Sequence, residues 1–487
     1  MRIYMQGKYL LSAIGGMLFI MAGTCVQAEP LRPDPAWQEG KLENGFKWQV
    51  LTTPHRPSDK IEIRLDINAG SLQESIPQVG FSYLLPQSAV VQTVNFAPEQ
   101  VQALLAQITP DTDPKSLVEV SYDYTRYNLS LPNNKPELLK EAFSWLSDAV
   151  ANPQLDEQRI EASRNTPASP LVTLPAGIND AWWRYRIKNS PLMGHEPGQP
   201  IAADADVEQL KAFYQKWYTP DAMTLYVVGN VDRRALADQI NKAFGGMTGK
   251  RTSPATIAVL TALPAKPVNF LSPVVSKDRL TLIWDDPWHP VINSASLERQ
   301  WVGNIANQLI KNRLSQKLSR SVLKGTILDL TCQMQFQRNE CHMTLDAPLP
   351  ALKPSLKFIA TELVKLNADG VTSEELAALV SANKDELAQS ISTYAKTDTT
   401  EIMAKYLLAQ KAGSVTVDPE QYQQIRQKFL DNLDLTIVNT KIHQLLTIKP
   451  TLVLTQPAGE PEENVTALSE LFDAIMTPKA EESVKTH

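Results

Sequence analysis

Between residues 61 and 67 apolar and charged side chains alternate, with Ile61, Ile63, Leu65 and Ile67 on one side and Glu62, Arg64 and Asp66 on the other. That period of two predicts a half-buried strand whose charged face is turned to solvent. A second alternation, Phe46, Trp48 and Val50, follows the turn signal Asn44-Gly45 and predicts a strand over 42–51. Gly70 and Ser71 close the 61–67 strand, and a short helix is expected over 80–88.

Further along, the period lengthens to that of a helix. Val101, Leu104, Leu105 and Ile108 mark one over 97–108, and residues 117–131 return to strand character, with Tyr122, Tyr124 and Tyr127 in the core or on a sheet face. Pro136 opens a helix striped by Leu139, Ala142, Phe143, Leu146 and Val150, which Asn152-Pro153 stops. A helix over 207–217, a buried strand over 223–228 and a helix capped by Asp232 and ended by Gly245-Gly246 complete the first half.

Residues 246–269, rich in Thr, Ala and Pro and without a helical stripe, read as a linker. The order then recurs: a strand at 280–284, a long helix over 295–318, two strands around the cysteines, helices at 352–366, after Thr372, after Asp398 and at 419–433, and a last strand at 451–454. Two halves with parallel element orders suggest duplication, and the mixture of helix and strand means α/β layering.

The amino terminus reads as an export signal over residues 1–28. Arg2 and Lys8 precede an apolar run over 10–22, and Val26-Gln27-Ala28 offers small residues for cleavage before Glu29. A retained anchor and lipidation at Cys25 are the alternatives. Cleavage removes two basic residues, which moves the formal charge from -6 to about -8. Neither that balance nor any basic run suits nucleic acid as a partner, and no second apolar stretch is long enough to cross a membrane. The expected divisions are a first domain at 29–245, the linker, a second domain at 270–460 and an acidic flexible tail at 461–487.

A cleaved chain keeps only Cys332 and Cys341. They fall on strands expected at 326–336 and 340–345, joined by the polar tip Gln337-Arg338-Asn339, and antiparallel pairing brings them within reach of a disulfide. A thiol nucleophile served by His342 is the alternative. Other chemistry is sparse. Even the closest two of the six histidines, His443 and His487, are far apart, and no H-E-x-x-H or H-x-x-E-H pair occurs. No nucleophile elbow or nucleotide-binding loop is present, and Asp285-Asp286 reads as an exposed turn.

Three stretches resemble the M16 metallopeptidases, the pitrilysin and processing-peptidase family. They are Leu42-x-Asn44-Gly45-Phe46, then Gly70-Ser71-x-x-Glu74 with Gly80-Phe81-Ser82-Tyr83-Leu84-Leu85-Pro86-Gln87, and the long block from Phe213 and Tyr214 through Trp217-Tyr218-Thr219-Pro220 to Gly229-Asn230-Val231-Asp232. The resemblance implies an α+β fold of two homologous α/β lobes, each a sheet packed against helices, enclosing a cleft. Active members carry H-x-x-E-H on a helix, two histidines binding zinc and the glutamate serving as base. On this chain those positions are Tyr83, Pro86 and Gln87. The third ligand, a glutamate, falls near Arg164, with Glu161 the nearest carboxylate. An arginine and a tyrosine from the second domain fall on Leu323 and Leu330.

The resemblance therefore implies no catalytic, metal or cofactor-binding residues, and a helix that ends or kinks at Pro86. It leaves as partners peptide or unfolded protein segments, another M16-like subunit or a second copy of the chain, with Trp48, Trp182, Trp183, Tyr185 and Trp217 as candidate lining. A zinc endopeptidase with a displaced site, and a purely structural subunit, are the alternatives.

Overall fold

The computed structural model describes residues 28–477, apart from 56–58, 109–115, 134, 136, 166–167, 274, 324 and 394–395. The expected signal segment lies, but for Ala28, outside the described residues. Strands β1 (Trp37–Lys41) and β2 (Lys47–Thr52) pair around Asn44-Gly45. Gly45 takes φ 95°, a left-handed conformation that a side chain would strain. There follow β3 (Ile61–Ile67), α1 (Phe81–Ala89), α2 (Pro98–Ile108), β4 (Val118–Val120), β5 (Thr125–Leu131), α3 (Glu137–Ala151), α4 (Glu157–Asn165), β6 (Val172–Thr173), α5 (Ala181–Arg186), α6 (Val207–Trp217), β7 (Met223–Gly229) and α7 (Arg233–Phe244). The seven strands form one sheet in the order β1-β2-β7-β3-β5-β4-β6.

The second lobe is built from β8 (Val268–Ser272), β9 (Asp278–Pro287), α8 (Ser294–Ser319), β10 (Ile327–Gln335), β11 (Arg338–Ala347), α9 (Leu349–Asp369), α10 (Ser373–Thr393), α11 (Thr399–Lys411), α12 (Pro419–Asn432), α13 (Leu435–Thr447), β12 (Thr451–Pro457) and α14 (Val465–Met476). Its sheet runs β10-β11-β9-β12-β8. The lobes share a five-strand plan. In each, one parallel pair (β2 with β7, β8 with β12) is followed by three antiparallel pairings, through β3, β5 and β4 or through β9, β11 and β10. Strand β4 thus corresponds to β10. The second sheet ends at β10, whereas in the first β6 adds outside β4.

Each sheet buries one face against helices. Ile63 lies between Leu129 and Val227, and all three are fully buried with Phe81, Leu104, Phe143, Phe213 and Phe244 from the helical layer. Burying one such side chain contributes about 1.5–3 kcal/mol. The second core gathers Leu282, Ile305, Leu345, Leu356, Ile359 and Phe472. Phe472 belongs to α14, so the acidic tail expected from residue 461 is instead a packed helix through Met476, with Val465 and Leu468 also buried. Acidic residues before that helix mask its apolar stripe.

The charged face of β3 is not open to solvent. Glu62 and Arg64 are buried beneath α11, which reaches over from the second lobe. Glu62 accepts hydrogen bonds from Arg64 at 2.7 Å, Ser130 at 2.7 Å and Thr400 of α11 at 3.2 Å, so its burial is compensated. Around that contact Leu51, Tyr226, Val228, Met403, Tyr406 and Leu407 form a small apolar cluster, and Trp37 stacks on Tyr406 at 3.5 Å.

A second junction uses the cysteine hairpin. Its turn is Phe336-Gln337, one residue earlier than the expected tip, because Gln335 pairs with Arg338 and both turn residues have positive φ (44° and 64°). Phe336 enters a cluster with Tyr122, Trp183, Ile187 and Leu192 of the first lobe. Beside it Arg186 of α5 donates to Glu340 at 2.5 Å and lies 3.6 Å from Asp285, which Arg338 also binds. Asp285 is therefore a buried ion-pair partner within β9 rather than part of an exposed turn.

Candidate functional site

The stretch leading into α1 is held by backbone contacts that only glycine permits. A Cβ on Gly70 would come 2.3 Å from the Ser121 carbonyl oxygen. Gly80, the residue before α1, takes φ 92° and lies against residues 199 and 201, where a Cβ would approach to 3.0 Å. Glu74 caps the helix, accepting from the Gly80 amide at 3.1 Å and the Ser82 amide at 2.7 Å. Burial pushes its carboxyl up to about 7, with those hydrogen bonds working in the opposite direction.

Helix α1 continues past Pro86 to Ala89, and the Val90 amide bonds the Pro86 carbonyl at 3.1 Å. The helix does not end at Pro86. Proline removes one hydrogen bond, to Ser82, and an interior proline costs a helix about 3 kcal/mol. Against that cost Phe81, Leu84, Leu85, Pro86 and Ala89 are all buried, so tertiary packing holds the helix through its defect.

Tyr83 and Gln87 project from the same side of this helix, one turn apart. The half-buried Tyr83 hydroxyl donates to the Val172 carbonyl of β6 at 3.3 Å, and burial raises its pKa. Gln87 is buried, and its amide oxygen accepts from Ser163 of α4 at 3.0 Å. Glu161 and Arg164 bond elsewhere. Both are exposed; they pair with each other at 3.3 Å, and Arg164 also donates to the carbonyls of Ala202, Ala203 and Ala205. Sequence reasoning missed Ser163. The signal was Ile160, the one buried residue of α4, since the residue three further on shares its face.

These groups can form hydrogen bonds but do not fit a zinc ion. A neutral phenol, an amide oxygen and a hydroxyl replace the imidazole, thiolate and carboxylate donors that hold zinc, and Pro86 offers no base. Among the described residues, no group of three or more His, Cys, Asp or Glu side chains is placed to hold a metal. Leu330 packs into the second lobe's core beside Cys341, and Leu323 lies in the turn after α8, where its carbonyl accepts from Thr326 at 2.9 Å. Leu330 thus belongs to the core of the second lobe, whereas Tyr83 packs against that of the first.

Of the aromatic residues named as candidate lining, Trp183 and Trp217 are core, and Trp48 packs against it. Trp182 and Tyr185 instead meet Phe270 of β8 at 6.4 and 5.8 Å, joining the lobes. Cys332 and Cys341 lie opposite each other with Cα atoms 4.0 Å apart and form the disulfide. His342 bonds Glu340 at 3.0 Å rather than serving a thiol. No described helix is long and apolar enough to cross a membrane.

Two lobes on one five-strand plan, with a short helix set behind a Gly-Ser-x-x-Glu stretch, define a class, and the chain belongs to the M16 peptidase family. Residues 49–171 match the model for insulinase (peptidase family M16), and residues 204–383 match that for the peptidase M16 inactive domain. Within the family it is similar to protein YhjJ. The Escherichia coli K12 protein is 42% identical over 474 residues, 97% of this chain and 95% of that one, and the Salmonella typhimurium protein is 40% identical over 481 residues, 99% and 97%. A solved structure, described as a predicted insulinase family protease from Yersinia pestis, is 46% identical with a TM-score of 0.89, covering 96% of this chain and all of that one. The periplasmic protease PqqL from Escherichia coli shares the fold at 18% identity and a TM-score of 0.78, over 93% of this chain and 51% of PqqL.

Proposed function

We propose that the chain is a non-catalytic M16 protein of the periplasm that binds extended peptide or unfolded segments, alone or beside an active relative. The observation that carries this reading is the Tyr83, Pro86, Gln87 and Ser163 set. On the family resemblance, Tyr83, Pro86 and Gln87 stand at the positions of two imidazoles and a general base, with Ser163 rather than the expected Arg164 or Glu161 meeting Gln87, and each polar member is committed to a protein hydrogen bond. The supporting frame is retained in Gly70, Glu74 and Gly80, and peptide uptake by a sheet edge needs backbone groups and pockets rather than a metal. The expected export signal, and the similarity to PqqL, itself a periplasmic protease, support the compartment.

The competing reading, a zinc endopeptidase with a displaced site, is favoured by structural neighbours that are described as proteases. Incubation of the purified mature protein with a mixed peptide pool, with and without chelator, separates the two. The proposal expects no cleavage under either condition and retention of a peptide subset on immobilised protein. Chelator-sensitive cleavage overturns it.

A further inference from the structure

The first sheet does not end where the shared plan ends. Strand β4 matches β10, the terminal strand of the second sheet, but two residues of the chain's own α4–α6 connection, Val172 and Thr173, pair in parallel with Val118 and Glu119. The Leu171 carbonyl accepts from the amides of Leu117 and Val118 at 3.0 and 2.9 Å, and the Ser116 and Thr173 hydroxyls meet at 2.5 Å. Val172 is buried at this edge, and Leu174 packs against Gly198, where any Cβ would approach to 2.5 Å. On the other side Tyr83 of α1 donates to the Val172 carbonyl.

We infer that residues 169–174 are a built-in occupant of a peptide-binding edge. Val172 and Thr173 lie extended along β4, entered through a turn in which the Val172 amide bonds the Ser169 carbonyl at 3.1 Å, and the Val172 carbonyl is presented to Tyr83 of α1; an extended apolar peptide binds by displacing this segment. This rests on the peptide-binding reading above and adds where the ligand sits and what guards it. Three features make the segment an occupant rather than a permanent strand. It is paired over two residues only, it has no counterpart among the described residues of the second lobe, and prolines at 170 and 175 stop the ladder from extending in either direction. A strand this short adds few hydrogen bonds, and a longer incoming peptide can satisfy the same β4 groups and more. The ligand class follows from what the edge now holds: a short extended segment with a β-branched residue at the place of Val172 and a small hydroxyl residue at the place of Thr173.

The test uses the full mature chain and a fluorescein-labelled peptide with the sequence of residues 169–176. Thr173→Pro removes both the amide and the hydroxyl that the segment brings to β4. Ser116→Cys combined with Thr173→Cys locks the segment in place under oxidising conditions and frees it on reduction, with wild type under the same reductant as the control for Cys332–Cys341. Because apparent affinity scales with the open fraction, Thr173→Pro is expected to bind about tenfold or more tightly than wild type. The oxidised double-cysteine protein should lose binding, and reduction should return it to the wild-type level. Equal binding by locked and reduced forms overturns self-occupancy while leaving peptide binding elsewhere intact. Absence of binding by every form, Thr173→Pro and the reduced lock included, overturns both this inference and the reading it rests on.

Discussion

Phe336 of the second lobe meets Tyr122 of the first edge-on, with ring centroids 5.5 Å apart, at the tip of the hairpin that Cys332 and Cys341 bridge. Its own carbonyl accepts from the Leu260 amide at 2.9 Å, so the inter-lobe connection also docks on this tip. Trp183 completes the pocket and donates its indole N–H to the Tyr122 hydroxyl at 2.9 Å. One residue thus ties together both lobes and the segment between them. Replacing Phe336 by alanine should cost about 3–5 kcal/mol, the range for emptying a buried aromatic site. Chemical denaturation would measure the loss, and small-angle scattering should show a more open particle. An unchanged midpoint and unchanged dimensions would mean that the lobes are held elsewhere.

Reduction of Cys332–Cys341 should loosen the same clasp. The bridged residues are 9 apart in sequence, a short loop for which a disulfide contributes about 2–3 kcal/mol through the unfolded state. The double serine variant should be destabilised by that order yet still fold, because the hairpin keeps its strand pairing. Alkylation of protein taken from an oxidising compartment should reveal two thiols only after reduction; two free thiols beforehand would contradict the bridge.

Arg186 lies between Glu340 and Asp285, and all three side chains are almost fully buried. Arg186→Met removes the buried cation that Glu340 and Asp285 share, leaving His342 on one and Arg338 on the other, and should cost up to about 3–5 kcal/mol, whereas Arg186→Met combined with Glu340→Leu should recover part of that loss. Additive losses in the double variant would show that the pair is not coupled.

Glu74 makes stability depend on pH with a sign opposite to that of most carboxylates. Its folded pKa, about 7, lies above the ordinary 4.5, so the folded state binds more protons than the unfolded state between those values. The contribution is complete below about pH 4.5 and is lost as pH rises through about 7, a change of about 3 kcal/mol. Urea midpoints measured across that window should fall with pH in wild type relative to Glu74→Gln. Parallel curves for the two proteins would show that Glu74 titrates normally.

Much of this fold is legible because the regular elements carry their own signals. Helix α6 falls on the expected 207–217, since Leu210, Phe213 and Trp217 share one face and the Asp206 side chain accepts from the Gln209 amide. Strand β3 likewise shows its period of two, but its charged face was misread because what covers it, α11, lies more than 300 residues away in sequence. Strand β1 was missed, as Trp37-Gln-Glu-Gly-Lys41 has no alternation of its own and pairs only with β2. Strand β6 was missed for a related reason, being two residues defined wholly by the neighbour it meets. At the site, the positions Tyr83, Pro86 and Gln87 could be read from the motif. That the helix survives Pro86, and that Ser163 rather than Arg164 faces Gln87, are consequences of packing that no motif encodes.

Zinc content tests the central claim, a retained frame without metal donors, most directly. The wild-type protein and the combined variant Tyr83→His, Pro86→Glu, Gln87→His and Ser163→Glu would be purified in zinc-supplemented medium, desalted and assayed by plasma mass spectrometry. The account predicts only trace zinc in wild type and about one ion per chain in the variant, whose positions 83, 87 and 163 then offer two imidazoles and a carboxylate on facing helices, with a second carboxylate at position 86. Stoichiometric, chelator-removable zinc in the wild-type protein would contradict it.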